Sequence, residues 1–140
     1  MPNNRYWLIK SEPDVYSYAQ LESEKRTEWT GIRNFEARNN LRAMKPGDLC
    51  LYYHTGDEKA VVGVASVLTE AKADSTAPGE DWTAVDVAPL KALARPVTLA
   101  QVKAHKSLKK FPLVTRSRLS VVPVTREEFE TVLRLGETKL

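Results

Sequence analysis

Arg33-Asn34 and Arg38-Asn39 stand five positions apart in the stretch WTGIRNFEARNNLRAMKPGD, residues 29 to 48, and Asn40 follows at once. Guanidinium groups only donate and fork onto phosphates or carboxylates, whereas a carboxamide sets a donor beside an acceptor, the pattern that matches a heterocycle edge. A second set, Lys10-Ser11-Glu12-Pro13, closes the apolar run YWLI. Pro13 holds Glu12 extended or turned, so an ammonium, a hydroxyl and a carboxylate are offered from a strand end, a place for a site and equally for an ordinary turn. Trp29 lies in the polar neighbourhood RTEWTG, where no apolar periodicity demands a core residue. It is expected to leave a face free for stacking, worth roughly 1–3 kcal/mol on a flat base whatever the base.

Other chemistries find little support. His54 and His105 are the only histidines, and no HxH, HxxxH or Cys pair supplies metal spacing. The six glycines are dispersed, so no phosphate loop, nucleophile elbow or dinucleotide fingerprint forms. Cys50, within DLCLYY, reads as a small buried hydrophobe. His54, at a strand end beside Tyr53, reads as a hydrogen-bonded or ligand-contacting residue, and a general acid–base pairing with Glu12 would make the chain a hydrolase as the alternative. His105, in AHKSLKK, reads as a solvent-facing helix residue. Nothing points to a cofactor or to a particular protein effector.

Net charge is only +3, but its distribution is uneven. No acid occurs from Val87 to Arg126, a window that holds Lys91, Arg95, Lys103, Lys106, Lys109, Lys110, Arg116, Arg118 and Arg126. Such segregation makes either a solvated face or a surface for phosphates. A third class, a protein-interaction module, would use an exposed helix over Thr98 to Lys110 to dock an acidic partner.

The elements that must position these residues fit one domain, since 140 residues with 42% hydrophobic content can bury a core. No apolar run approaches the roughly 20 residues of a membrane span, and the start MPNNRYWLIKSEP has no basic leader, so an intracellular, cytoplasmic location is expected, nucleoid-associated in a bacterium. Apolar and β-branched runs predict strands at Tyr6 to Lys10, Leu49 to His54, Val61 to Leu68, Thr83 to Val87 and Leu119 to Val124, with a further one near Val114. Five or six short strands point to a small barrel, and residues 69–81 read as a loop. Ser17 to Gln20, Thr98 to Gln101 and Thr125 to Glu128 fit capping boxes, and Phe129, Val132 and Leu133 form an inward stripe. A helix from about Asn34 to Met44 carries Ala37, Leu41 and Met44 on one face, with Asn40 among them as an expected internal brace.

The ordered set YWLIKSEP, EWTGIRNFEARNNLRAMKPGDLCLYYHT, VVGVASV, WTAVDV, PVTL and SRLSVVPVT resembles the EVE domain family across nearly the whole chain. That resemblance implies an α+β fold, a PUA-like pseudo-barrel of five to six mainly antiparallel strands with helices packed around it, related to the YTH domains that bind methylated adenine in RNA. It further implies a non-catalytic reader of a modified base, with modified cytosine in DNA the favoured ligand and RNA or a free nucleotide the alternative. Carried onto this sequence, it places Trp29 as the stacking surface and Ser11, Glu12 and Asn34 as base-edge partners. Arg33, Arg38 and Asn39 become phosphate or sugar binders or braces of the pocket wall. Lys10, Tyr53, His54 and Ser120 are second choices, and Lys106, Lys109, Lys110, Arg116 and Arg118 would meet the nucleic-acid backbone. Ile32 and Phe35 stand where the family pattern often has Val and Tyr.

Overall fold

The runs YWLI and LCLYY are apolar at every position rather than at alternate ones, the pattern of strands covered on both faces. The computed structural model, which describes residues 5–140, places both at the centre of the molecule. In chain order the strands are β1 (Tyr6–Ser11), β2 (Thr27–Glu28), β3 (Leu49–His54), β4 (Ala60–Val67), β5 (Lys72–Ala73), β6 (Thr83–Ala84), β7 (Asp86–Thr98) and β8 (Val121–Val124). The helices are α1 (Tyr18–Glu24), α2 (Phe35–Ala43), α3 (Leu99–Ala104), α4 (Pro112–Thr115) and α5 (Arg126–Leu135).

Six strands form a curled sheet in the order β2-β7-β4-β3-β1-β8, and β5 and β6 make a separate hairpin. Among the described residues only β1 and β3 pair in parallel, with Trp7 opposite Cys50 and Ser11 opposite His54; the remaining pairings are antiparallel. A parallel pair needs a crossover, and residues 12–48 supply it. Trp7, Leu8, Ile9, Cys50, Leu51 and Tyr52 are all buried, and burial pushes the Cys50 thiol far up, out of reach of thiolate chemistry. Asp48 is buried at the turn into β3 and accepts hydrogen bonds from the Trp7 indole (3.0 Å) and from the Arg5 (3.1 Å) and Lys45 (3.0 Å) amides.

The helix signals hold with one exception. Thr98 and Thr125 form complete capping boxes, whereas Ser17 caps the Gln20 amide but the Gln20 side chain turns to Glu24 instead. In α2 the stripe of Ala37, Leu41 and Met44 is buried, and Asn40 Nδ2 donates to the Val121 carbonyl at 2.7 Å. The helix is thereby braced to β8. Phe129, Val132 and Leu133 bury one face of α5, where Phe129 meets Tyr6 with ring centres 4.6 Å apart.

Four local expectations are corrected. The segment at Val114 is helix α4 rather than strand, because Pro112 at its first turn has a preset helical φ. The expected strand at Thr83 to Val87 divides at Val85 into β6 and the start of β7, which continues to Thr98 through Pro89 and Pro96. Beyond Val87 only β4 pairs with β7, so that stretch is an edge on its other side and tolerates residues without an N–H. The expected loop over 69–81 contains β5. The helix from Thr98 to Lys110 breaks at His105, whose backbone is extended and whose Nδ1 accepts from the Ser107 amide at 3.1 Å. A 3-10 turn at Lys106–Leu108 follows, with Leu108 and Phe111 buried.

Candidate functional site

Residues 29–34 are irregular and run from β2 into α2. Because β2 pairs with β7 and the Trp29 amide donates to the Val85 carbonyl at 2.7 Å, the indole is delivered inward. It is only 7% exposed, with ring centres 5.5 Å from Tyr52 and 6.4 Å from Tyr16, both edge-on. The free face expected from RTEWTG is therefore reduced to the part of the ring that borders a cleft. That cleft, about 280 Å³, is walled by Lys10, Ser11, Tyr16, Trp29, Thr30 and Ile32, with Val15 exposed at its mouth. Its size lies near the small end of ligand pockets, roughly 300–1,000 Å³, and matches one flat heterocycle better than a peptide.

Tyr16 and Tyr52 fix the aromatic wall. The Tyr52 hydroxyl donates to the Tyr16 carbonyl at 2.8 Å, and the Tyr16 hydroxyl donates to Glu24 at 2.7 Å. Burial, with the Glu24 carboxylate adding to it, raises the Tyr16 phenol, so it stays a neutral donor. Ser11 makes a long bond, 3.4 Å, to the Glu12 carbonyl, and its hydroxyl borders the cleft beside Tyr16. Burial lowers the Lys10 ammonium below the usual lysine value.

A second cleft of about 310 Å³ adjoins it, lined by Asn34, Glu36, Arg116, Ser117, Arg118 and Leu119. Lys10 joins the two, since Nζ donates to the carbonyls of Arg116 (3.3 Å) and Ser117 (3.2 Å) while its amide donates to the Ser120 carbonyl (3.0 Å). Asn34 is the N-cap of α2, where Oδ1 accepts from the Ala37 amide at 3.0 Å, so its Nδ2 is the group left for a ligand. Arg116 pairs with Glu36. Among the described residues Arg118, Lys106, Lys109 and Lys110 are exposed and make no ion pair.

The remaining arginines of the opening motif face the loop between β5 and β6. Asp74 is buried and accepts from the Gly31 amide (2.9 Å), Arg33 (3.0 Å), and the Thr76 amide and hydroxyl (2.7 and 2.6 Å). Burial alone would push its carboxyl up, but these donors together outweigh it and hold Asp74 far below the usual carboxylate range. Gly31 meets Asp74 at φ +82°, a left-handed turn that favours glycine. Arg38 reaches Asp81 at 3.0 Å and the Asn39 Oδ1 at 3.2–3.3 Å, and Arg42 binds the same Asp81. Arg33 and Arg38 thus tie the start of α2 to the loop between β5 and β6, and Asn39 stays exposed beside Arg38.

His54 and Tyr53 are buried, and Glu12 is exposed on a turn whose carbonyl takes the Val15 and Tyr16 amides at 2.9 Å. The Tyr18 amide donates to His54 Nε2 at 3.0 Å, which assigns the proton to Nδ1, 2.9 Å from Glu58. Both ring nitrogens are thus engaged within the fold, Nε2 as an acceptor and Nδ1 as a donor.

Of the expected residues, then, the fold brings Lys10, Ser11 and Trp29 into one cleft and Asn34, Arg116 and Arg118 into its neighbour. Tyr16, Thr30 and Ile32 were not singled out by sequence reading; the closeness of Tyr16 to SEP and of Ile32 to Trp29 is the only signal that marks them. A family model, the EVE domain, matches residues 5–135. The chain belongs to the EVE domain family. This EVE domain is 36% identical over 170 residues to mouse thymocyte nuclear protein 1, spanning 97% of the present chain and 75% of the mouse protein. It also superposes on human THYN1 protein, solved in complex with 5-methylcytosine containing DNA, with TM-score 0.89, 35% identity and coverage of 98% and 100% of the two chains. A YTH domain from Zygosaccharomyces rouxii, solved with N6-methyladenosine RNA, shares the fold at TM-score 0.63 and 17% identity over 100% of this chain and 90% of its own. The PUA-like architecture is thus shared by both. Among the described residues, no helix is long and apolar enough to cross a membrane.

Proposed function

We propose that this EVE domain is a non-catalytic reader of a modified base in nucleic acid, with modified cytosine in DNA as the ligand. The observation that carries the reading is the likeness, over essentially the whole chain, to a protein solved with 5-methylcytosine containing DNA. The cleft supports it, being sized for one base and walled by Trp29 and Tyr16. A base held there must leave its stack, and aromatic walls recover part of that cost. Ser11 and Lys10 offer hydroxyl and ammonium groups to its edge, and Glu12 at the rim is the remaining edge candidate. Asn34 Nδ2, Arg116 and Arg118 meet the adjoining phosphates, with Lys106, Lys109 and Lys110 extending the basic path.

The test is binding of fluorescent oligonucleotides at fixed low salt: unmodified, or carrying 5-methylcytosine, 5-hydroxymethylcytosine or methylated adenine. Wild type should prefer a modified cytosine, and Ser11→Ala and Trp29→Ala, with folding verified by circular dichroism, should lose the preference while retaining salt-sensitive binding. Equal binding of all oligonucleotides by wild type refutes the reading.

A further inference from the structure

Phe35 is 66% exposed, the only aromatic side chain among the described residues that is mostly in solvent. It is nevertheless held. Its ring stacks on Trp82 with centres 5.3 Å apart and planes 16° from parallel. The Arg38 guanidinium lies 5.0 Å from the Phe35 ring centre and 5.9 Å from that of Trp82, and Arg33 covers Trp82 at 5.5 Å. Both arginines are anchored in turn, Arg33 by buried Asp74 and Arg38 by Asp81. Arg33, Trp82 and Phe35 thus form a stack whose Phe35 end remains mostly exposed, on the first residue of α2 and next to Asn34 of the second cleft.

Stacking on Trp82 and the Arg38 contact hold the ring in place without covering it, which prepares it to meet something flat. We propose that Phe35 is a wedge: when the modified base is drawn from a duplex into the cleft, Phe35 enters the stack and lies against the neighbouring base pair. This rests on the reading of the domain as a modified-base reader. A duplex that surrenders one base loses stacking on both sides of the gap, and apolar side chains inserted between base steps restore it. The ligand the face fits is therefore a base pair beside a vacancy, and the arrangement predicts a difference between duplex and single strand. In a single strand the base is already free and no gap needs filling.

The experiment compares Phe35→Ala and Phe35→Trp with wild type on one 5-methylcytosine oligonucleotide, single-stranded and in duplex, with 2-aminopurine beside the modified base to report unstacking. Because one base stack is worth roughly 1–3 kcal/mol, Phe35→Ala should weaken duplex binding by about tenfold or more and suppress the 2-aminopurine signal. Single-strand binding should change by less than about threefold, and Phe35→Trp should restore the duplex. Equal losses on both forms, or none on either, would overturn the wedge while a preference of wild type for the modified base leaves the reader intact. A wild type that prefers the modified base in neither form overturns both.

Discussion

Gly63 lies in β4 opposite Tyr52, under the ring of Tyr18, and a methyl group there would fall 2.6 Å from Tyr18 Cε1 and 2.7 Å from Cε2. The ring cannot easily yield. Its hydroxyl donates to the Val64 carbonyl at 2.7 Å, its backbone amide is fixed on His54, and its face meets the edge contact with Tyr52 at 5.2 Å between centres. Overpacking a core typically costs 1–3 kcal/mol, and the intrinsic preference of a strand for alanine over glycine returns roughly 0.5–1. Gly63→Ala should therefore destabilise by about 1 kcal/mol, or about 3–4 °C in Tm for a domain of this size. Tyr18→Ala should cost about 3–5 kcal/mol by leaving a cavity. In the double variant the new methyl occupies space the ring has vacated, so the total should stay near that of Tyr18→Ala alone. The coupling would be about 1 kcal/mol in the stabilising direction. Guanidinium denaturation of the four proteins measures this cycle. Simple additivity, or a cost for Gly63→Ala below about 0.5 kcal/mol, would show that the ring does not exclude the methyl.

Asp74 supplies a pH signature: its folded carboxyl keeps its charge to lower pH than the unfolded one, so its contribution is full above about pH 5 and is lost as pH falls through and below about 4. Asp74→Asn should be less stable than wild type at neutral pH, with the gap closing towards about pH 2 in thermal melts; a gap constant with pH contradicts the hydrogen-bonded carboxylate. Lys109→Glu combined with Lys110→Glu should weaken binding of modified and unmodified DNA alike and flatten the dependence of log K on log salt by about one to two. An unchanged slope would remove this segment from the phosphate path.

What could be read from the sequence is what neighbouring residues decide. The all-apolar runs of β1 and β3, the Thr98 and Thr125 caps, and the stripe that turns Asn40 inward depend on contacts a few residues away or on periodicity alone. The depth of Trp29 is not legible locally, because the rings that pack on it, Tyr16 and Tyr52, and the Val85 carbonyl that fixes its backbone come from three other segments. The guanidiniums of Arg33 and Arg38 read equally as phosphate or sugar binders or as braces, and their partners Asp74 and Asp81 lie in a loop that sequence spacing cannot bring near. The same holds for Lys10, which bridges to carbonyls 106 and 107 residues away. Strand β7 was cut short because Pro89 and Pro96 argue against a central strand, and only the sheet order reveals that this stretch is an edge.

The parallel pairing of β1 with β3 obliges the chain to travel the length of the sheet before it can return, and residues 12–48 make that journey. Trp29, Ile32, Asn34 and Phe35 all belong to this return path, while the register between the two strands is secured by Trp7, Asp48 and the apolar runs. The traverse thus carries part of the proposed recognition surface, while the end of β1, with Lys10 and Ser11, and the segment before β8, with Arg116 and Arg118, carry the rest. Rewriting the traverse would change the aromatic wall of Tyr16 and Trp29 while leaving Lys10, Ser11, Arg116 and Arg118 in place, so a traverse grafted from a relative with another preference would separate the share of ligand choice held by that wall from the share held by the strand end.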